Sequence, residues 1–126
     1  MSHESDVTAF RKAFKLPIHE KPTLLTYDDT MLHLNLIEEE YRELLNAWED
    51  GNLTETFDAL IDLQYVINGM GVHMGLPMEE GWAEVQRSNM SKLDENGEPI
   101  YREDGKVLKS DLYSPPNLQE IIDKKE

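Results

Sequence analysis

Two groups of acidic residues at helical spacing are the part of this sequence that could do chemistry. The first group is Glu39, Glu40 and Glu43, and the second is Asp58 and Asp62. A helix turns by about 100° per residue, so Glu40 and Glu43 fall within an apolar stripe of their helix, with Glu39 at its edge. Asp58 and Asp62 likewise share a face with apolar residues on the next helix. The sequence therefore predicts carboxylates at core-facing positions of two consecutive helices.

The two helices are joined by a connection of about three residues around Gly51-Asn52. So short a connection favours antiparallel packing, which brings the two carboxylate groups together. Carboxylates gathered in a medium of low dielectric constant repel one another, and a buried charge is costly unless it is neutralised. The second helix has no Lys or Arg between Asn52 and Gly75. A cation from outside the chain is therefore expected at this place.

Mg²⁺ is the predicted cofactor, with Mn²⁺ as an alternative. Mg²⁺ is a hard ion that takes carboxylates, waters and substrate phosphates as ligands and needs neither Cys nor paired His. The other interpretation is that residues 38–40 and Glu43 form a solvated helix face. The chain would then be a non-catalytic acidic helical module that binds a basic protein partner. The matching phase of Asp58 and Asp62 on the next helix favours the metal site.

Length and charge narrow the class of protein. The chain has 126 residues with 12 Lys and Arg against 26 Asp and Glu, a net charge of −14. This length suits one domain, and the charge repels phosphate backbones and anionic membranes, so we expect no nucleic-acid polymer and no membrane as partner. The chain has no cysteine and no apolar run near the roughly 18 residues of a membrane span. We expect a soluble, cytoplasmic protein.

The apolar periodicity predicts an all-α fold, an antiparallel helical bundle of four main helices with a small β-hairpin and a C-terminal tail. Residues 1–126 would form a single domain, with the helical core at about 5–92 and the hairpin and tail at about 93–126. The predicted helices cover residues 7–14 behind caps Ser5 and Asp6, about 24 or 28 to 50, 52–73, 78–90, and a last helix behind Asn117. The predicted hairpin pairs residues 100–102 with 107–108.

Apolar residues on the two long helices spread over more than one stripe. A helix that is apolar nearly all round must be covered on most sides. The short flanking helices offer little cover, so we expect a homo-oligomer, a dimer or a tetramer, that completes the bundle.

The acidic motifs and the downstream segments resemble the all-α nucleoside triphosphate pyrophosphohydrolases of the MazG and phosphoribosyl-ATP pyrophosphohydrolase type. The resemblance spans roughly residues 30 to 118. It rests on EEYREL at 39–44, DALIDLQYV at 58–66, RSNMSKL at 87–93, GEPIYR at 97–102, DGKVLK at 104–109 and YSPPNL at 113–118. The segments after residue 87 look like the tail of a MazG-like branch.

The resemblance implies cleavage of a (d)NTP between the α and β phosphates, which releases a monophosphate and pyrophosphate, with Mg²⁺ as the metal. It also implies a homo-oligomer. Glu40, Glu43 and Asp62 would hold the metal, and Glu39 would orient or deprotonate the attacking water. The family commonly has ExxD on the third helix. Ala59 stands at the position of that Glu, so the fourth ligand is transferred to Asp58.

Substrate contacts are expected from polar and cationic residues that begin near the end of the fourth helix: Arg87, Asn89, Lys92, Lys106 and Tyr113. Charge near a helix end also complements the helix dipole, and hairpin lysines also protect strand edges, so a structural role is the alternative for the cations. The four histidines have no metal-ligand spacing, and none is assigned to a metal. Nucleotide-pool cleaning is the favoured activity, and hydrolysis of phosphoribosyl-ATP is the alternative within the same chemistry.

Overall fold

The computed structural model of the protein describes all residues from 1 to 126. It is 60% helical, with five helices and one two-stranded antiparallel sheet. The predicted all-α class with a small hairpin is thereby confirmed. The elements are α1 (His3–Ala13), α2 (Tyr27–Glu49), α3 (Leu53–His73), α4 (Met78–Met90), β1 (Ile100–Tyr101), β2 (Val107–Leu108) and α5 (Leu118–Lys125).

The chain divides into two compact units. The first covers residues 1–78 and contains α1, α2 and α3; the second covers residues 79–125 and contains nearly all of α4, the hairpin and α5. Within the first unit, α2 packs along α3, and α1 packs against α3. The organisation of residues 1–126 as a single domain stays a prediction.

α1 begins four residues before the predicted start, because a different residue caps it. The Ser2 Oγ accepts a hydrogen bond from the Ser5 backbone N–H at 3.0 Å, and the Ser5 Oγ accepts one from the Ser2 N–H at 2.8 Å. This reciprocal capping box satisfies two backbone donors at the helix start. The prediction of Ser5 and Asp6 as caps is therefore wrong, since both lie inside the helix.

The connection between α2 and α3 has the predicted form. Gly51 has φ of +65°, a conformation that favours glycine after a helix C-terminus. Asn52 caps α3, and its Oδ1 accepts from the Glu55 backbone N–H at 3.0 Å. Thr26 caps α2 in the same way through Asp29. The two long helices therefore run antiparallel as a hairpin.

The connector between α1 and α2 crosses the C-terminal end of α3. The His19 N–H donates to the His73 carbonyl at 2.9 Å, and the Thr23 N–H donates to the Met74 carbonyl at 2.8 Å. These bonds use carbonyls that the end of a helix leaves free. The connector is thus fastened to α3, and Gly75 lies beneath it with φ of +74°.

The second unit holds the hairpin and the tail. β1 and β2 pair in the register Ile100 with Leu108 and Tyr101 with Val107, as the turn dipeptide at residues 104–105 predicts. Asn117 caps α5 by accepting from the Glu120 N–H at 3.2 Å. None of the five helices has both the length and the apolar character that crossing a membrane requires.

Gly75→Ala should destabilise the protein more than Gly51→Ala. A Cβ on Gly75 would lie 2.6 Å from the Lys21 carbonyl oxygen and 2.7 Å from that of His19, whereas a Cβ on Gly51 meets nothing within 4 Å. We expect Gly51→Ala to cost about 1–2 kcal/mol for its left-handed φ alone. Gly75→Ala should cost about 3 kcal/mol because the connector backbone must move as well. Urea unfolding of both variants checks this, and equal losses would contradict the packing of the connector on Gly75.

Candidate functional site

Three carboxylates from α2 and α3 converge on one point. They are Glu40 and Glu43 of α2 and Asp62 of α3, and one oxygen from each lies within 4.8 Å of the others. The antiparallel hairpin produces this arrangement, because it sets the acidic stretch of one helix beside that of the next. The predicted convergence is therefore observed, but Glu43 and Asp58 are exposed, so the prediction that they face the core is wrong. The role of these residues as metal ligands stays a prediction.

The electrostatics of the cluster disfavour full ionisation. Burial raises the pKa of Glu40, and the negative charges of Glu43 and Asp62 raise it further. Burial also raises the pKa of Asp62, followed by the charges of Asp58 and Glu43. The Glu40 Oε2 is buried and has no hydrogen-bond partner. A buried acceptor without a partner costs free energy until a donor or a cation reaches it.

A divalent cation fits this donor set. All the converging atoms are carboxylate oxygens, which are the ligands that hard cations such as Mg²⁺ and Mn²⁺ select. A cation would satisfy the buried Glu40 oxygen and offset the repulsion. The nearby Arg42 does not do this, because its guanidinium binds Glu38 at 3.0 Å on an exposed part of α2. The residues present thus form a candidate metal centre.

Asp58 lies beside the cluster and is not one of the three converging residues. It is exposed, and its negative charge contributes to the raised pKa of Asp62. Asp58 and Glu43 also line a cavity of about 380 Å³ between α2 and α3. The other lining residues are Asn46, Ala47, Asp50, Asn52, Glu55 and Ala59. The cavity wall has carboxylates, amides and two alanines and no Lys or Arg.

Glu39, the predicted water-activating residue, is exposed and lies outside the converging set. Its place next to Glu40 in the sequence keeps it within the same turn of α2. The catalytic role of Glu39 stays a prediction.

The five predicted substrate-binding residues all belong to the second unit. Arg87 is held by Glu84, with its Nε 2.8 Å from Oε1, and its Nη2 also donates to the Pro115 carbonyl at 3.2 Å. The bond from Arg87, with one from the Asn117 N–H, lowers the pKa of Glu84 to about 2. Arg87 therefore holds the segment before α5 through Pro115, and its contact with substrate stays a prediction.

The other predicted contacts have fewer fixed partners. Asn89 and Lys106 are exposed, and Lys92 is half-buried. The half-buried Tyr113 ring lies under the Lys109 Nζ, which is 4.6 Å from the ring centroid. Substrate binding by these residues stays a prediction.

The sequence reasoning missed the meeting of histidines at the other end of the hairpin. His33 of α2 and His73 of α3 are hydrogen-bonded across the helices at 2.8 Å, and the His19 ring stacks on that of His73. The two bonded residues are 40 positions apart, so no short motif contains them. The available signal was helical phase, since His33 lies seven residues before Glu40 and therefore on nearly the same face.

Glu40→Gln should stabilise the protein without metal, and the gain should grow with pH. A raised folded pKa makes folding favour the protonated carboxyl, so the stability from this group is complete below the ordinary carboxyl pKa of about 4 and is lost as pH rises through the raised value. We expect a gain of about 1 kcal/mol near neutral pH, because the amide can donate to the neighbouring carboxylates.

Urea unfolding in EDTA at several pH values measures that gain as the difference between Glu40→Gln and the wild type. Glu49→Gln makes the same charge change at an exposed position of α2 and should show a smaller, flatter difference. A loss of stability in Glu40→Gln at neutral pH would contradict the repulsion inferred for the cluster.

Two proteins show how far this chain is similar to others. A crystal structure of an Exiguobacterium sp. 255-15 protein, provisionally described as an NTP pyrophosphohydrolase, is 25% identical with a TM-score of 0.51. The match covers 99% of this chain and 94% of that one. Uncharacterized protein L479 of Acanthamoeba polyphaga mimivirus is 30% identical over 94 residues, which is 74% of this chain and 35% of that protein. The chain thus spans about a third of the length of this curated relative.

The family model of phosphoribosyl-ATP pyrophosphohydrolase matches residues 7–89. The matched region contains α2, α3 and the whole carboxylate cluster. It covers more than half of the chain and confirms the resemblance drawn from the motifs. The chain therefore belongs to the phosphoribosyl-ATP pyrophosphohydrolase family, a family of hydrolases that act on pyrophosphate bonds.

Proposed function

We propose that this protein is a Mg²⁺-dependent nucleoside triphosphate pyrophosphohydrolase that cleaves a (d)NTP to the monophosphate and pyrophosphate. The observation that carries the proposal is the convergence of Glu40, Glu43 and Asp62 within 4.8 Å in the part of the chain that matches the family. The full-length similarity to the Exiguobacterium protein supports an NTP as the substrate class. A nucleotide-pool-cleaning role and a cytoplasmic location are part of the same proposal.

Glu40, Glu43 and Asp62 would hold the cation, and Asp58 would complete the set from the cavity side. A bound divalent ion supplies charge neutralisation for the triphosphate and polarises its phosphoryl oxygens. The burial of the Glu40 Oε2 strengthens the interaction of that oxygen with a cation. The protein itself repels phosphates through its net charge of −14. The bound cation would therefore supply the attraction for the triphosphate.

The reaction joins a water oxygen to phosphorus and breaks the anhydride P–O bond between the α and β phosphates. The water proton must pass to a base. The bonding electrons leave with pyrophosphate if water attacks the α phosphorus, and with the nucleoside monophosphate if it attacks the β phosphorus. We assign the base to Glu39, which is exposed to water and directly precedes Glu40 on α2. Arg87, Asn89, Lys92, Lys106 and Tyr113 are proposed to contact the substrate.

Phosphoribosyl-ATP is the second candidate substrate, and the family match favours it by its description. It contains the same triphosphate anhydride, so the carboxylate cluster serves either substrate. The match to that family ends at residue 89, whereas the similarity to the Exiguobacterium protein covers 99% of the chain. We therefore place (d)NTPs first.

The protein with Mg²⁺ should release pyrophosphate and a monophosphate from at least one member of a panel of NTPs, dNTPs and phosphoribosyl-ATP. Glu43→Gln and Asp62→Asn should each lower kcat/KM by about 100-fold or more, because each removes a ligand of the ion that stabilises transition-state charge. Ion chromatography of the products measures this, and Glu49→Gln is the control. Full turnover by Asp62→Asn would contradict the assigned metal set, and no turnover of any substrate would contradict the function.

We also propose that the protein is a homo-oligomer, a dimer or a tetramer, joined through the apolar faces of α2 and α3. Only Val7, Ala47, Ala59 and Val72 form its buried apolar core. In contrast, large side chains stay exposed along both helices, among them Leu32, Trp48, Leu53 and Phe57 at 64–83%. Burying one such side chain stabilises by about 1.5–3 kcal/mol. A second copy of the chain has the same apolar faces and can cover them. Homodimers with two-fold symmetry are the commonest soluble oligomers.

Size-exclusion chromatography with light scattering should give a multiple of the 14.6 kDa chain mass at micromolar concentration. Phe57→Asp should shift the protein toward the monomer, because it sets a charge in the apolar contact. Tyr101→Asp, which changes an exposed aromatic residue of the hairpin, should leave the mass unchanged. A monomeric wild type would contradict this proposal.

A further inference from the structure

A buried histidine pair joins α2 to α3 at the end of the hairpin opposite Gly51. The Nε2 of His33 lies 2.8 Å from the Nδ1 of His73, and the two rings meet at 60°. Both residues are nearly sealed from solvent, at 6% and 3% exposure. This hydrogen bond joins a side chain of α2 to a side chain of α3, and we call it the histidine clasp.

Charged and titratable groups face the clasp from every element around it. Asp29 of α2 places its Oδ2 4.0 Å from the His73 Nε2, and the connector stacks the His19 ring on His73. Arg11 of α1 is buried and donates to the Pro17 carbonyl at 2.8 and 3.1 Å, and its positive charge acts on both rings. Asp29 favours a proton on the His73 Nε2, which leaves its Nδ1 to accept from the His33 Nε2–H.

The clasp lies on the face of the hairpin that carries the carboxylates. His33 precedes Glu40 by seven residues and His73 follows Asp62 by eleven, spacings that return each helix to within about 20° of the same face. The clasp is about 10 Å along α2 from the cluster. We propose that the histidine clasp is a proton-sensitive link that holds α2 against α3 and so positions Glu40 and Glu43 opposite Asp62.

The proton dependence follows because only one N–H fits between the two rings of the clasp. The neutral pair and the singly protonated pair each keep one N–H between the rings. The doubly protonated pair sets one N–H against another, beside the Arg11 guanidinium and in a buried place. The clasp should therefore open in mild acid. The pKa of His33 and that of His73 are both lowered, first by burial, which agrees with this direction.

The sign of the stability effect is opposite to that of the cluster. A lowered folded pKa means that the unfolded chain binds the proton more tightly. Stability from the clasp is therefore present above the unfolded histidine pKa of about 6.5 and is lost as pH falls toward the lowered values.

Two variants separate the bond from its titration. His33→Gln keeps a side-chain N–H donor near the Nε2 position but cannot titrate, and His33→Phe keeps a ring but removes the donor. If the clasp positions the cluster, Mn²⁺ affinity should fall between about pH 7.5 and about pH 5.5 in the wild type by about fivefold more than in His33→Gln. Carboxylate protonation is common to both proteins and cancels in this comparison. His33→Phe should bind Mn²⁺ weakly at both pH values.

The positioning role rests on the proposed metal site, so a second measurement tests the clasp alone. Nitrogen-15 NMR of the full-length protein without metal should show His33 protonated at Nε2 and His73 at Nε2 near pH 7.5. Both should titrate at lower pH than the same residues in the urea-unfolded protein.

Each outcome decides one part of the proposal. Titration of both rings as in the unfolded chain would overturn the clasp. An identical pH dependence of Mn²⁺ affinity in the wild type and His33→Gln would overturn the positioning role and leave the metal site standing. Failure of Mn²⁺ to bind the wild type at any pH would overturn the metal site and the positioning role with it. The NMR result would still decide the clasp.

Discussion

Repulsion among carboxylates at the α2–α3 interface is the constraint on which the rest of this structure depends. Oxygens of Glu40, Glu43 and Asp62 lie within 4.8 Å of one another, and burial opposes the ionisation of Glu40 and Asp62. The buried apolar core of one chain is small, with Val7, Ala47, Ala59 and Val72 as its members, and offers few contacts to offset this cost. Such an arrangement persists when the surrounding contacts hold the helices together and a ligand offsets the charge.

The contacts that hold the helices lie on both sides of the cluster. Toward one end of the hairpin, the His33–His73 hydrogen bond joins α2 to α3. Toward the other end, the buried Ala47 and Ala59 take up little space, and the Gly51–Asn52 connection fixes the antiparallel arrangement. The connector adds two backbone bonds across the end of α3. The carboxylates are thus kept close by interactions that do not involve them.

Local patterns in the sequence predicted the elements well because each of those signals lies within a few residues. The connection at Gly51-Asn52, the hairpin of residues 100–102 with 107–108 and the helix over 78–90 each depend on neighbouring residues, and all three are found. The start of α1 was misplaced because Ser2 and Ser5 cap each other, a choice that depends on side-chain geometry and not on residue type alone.

The carboxylate cluster could be predicted for the same reason, since one short connection fixes the pairing of two periodic helices. The histidine clasp could not. It requires the register of residues 40 positions apart and the path of the connector that brings His19 onto His73. Arg87 illustrates the same limit. Its guanidinium donates to the Pro115 carbonyl, which is 28 positions away in the sequence.

The cluster and the clasp respond to protons in opposite senses, and this opposition bears on how the site works near neutral pH. The raised pKa values of Glu40 and Asp62 favour protonation of the metal-free cluster, while the lowered pKa values of His33 and His73 favour a neutral clasp. A cation at the cluster competes with protons for the carboxylate oxygens. Protons at the clasp do not compete with the cation directly. Rising pH therefore deprotonates the carboxylates and keeps the histidine bond intact. Both changes favour a cation between α2 and α3.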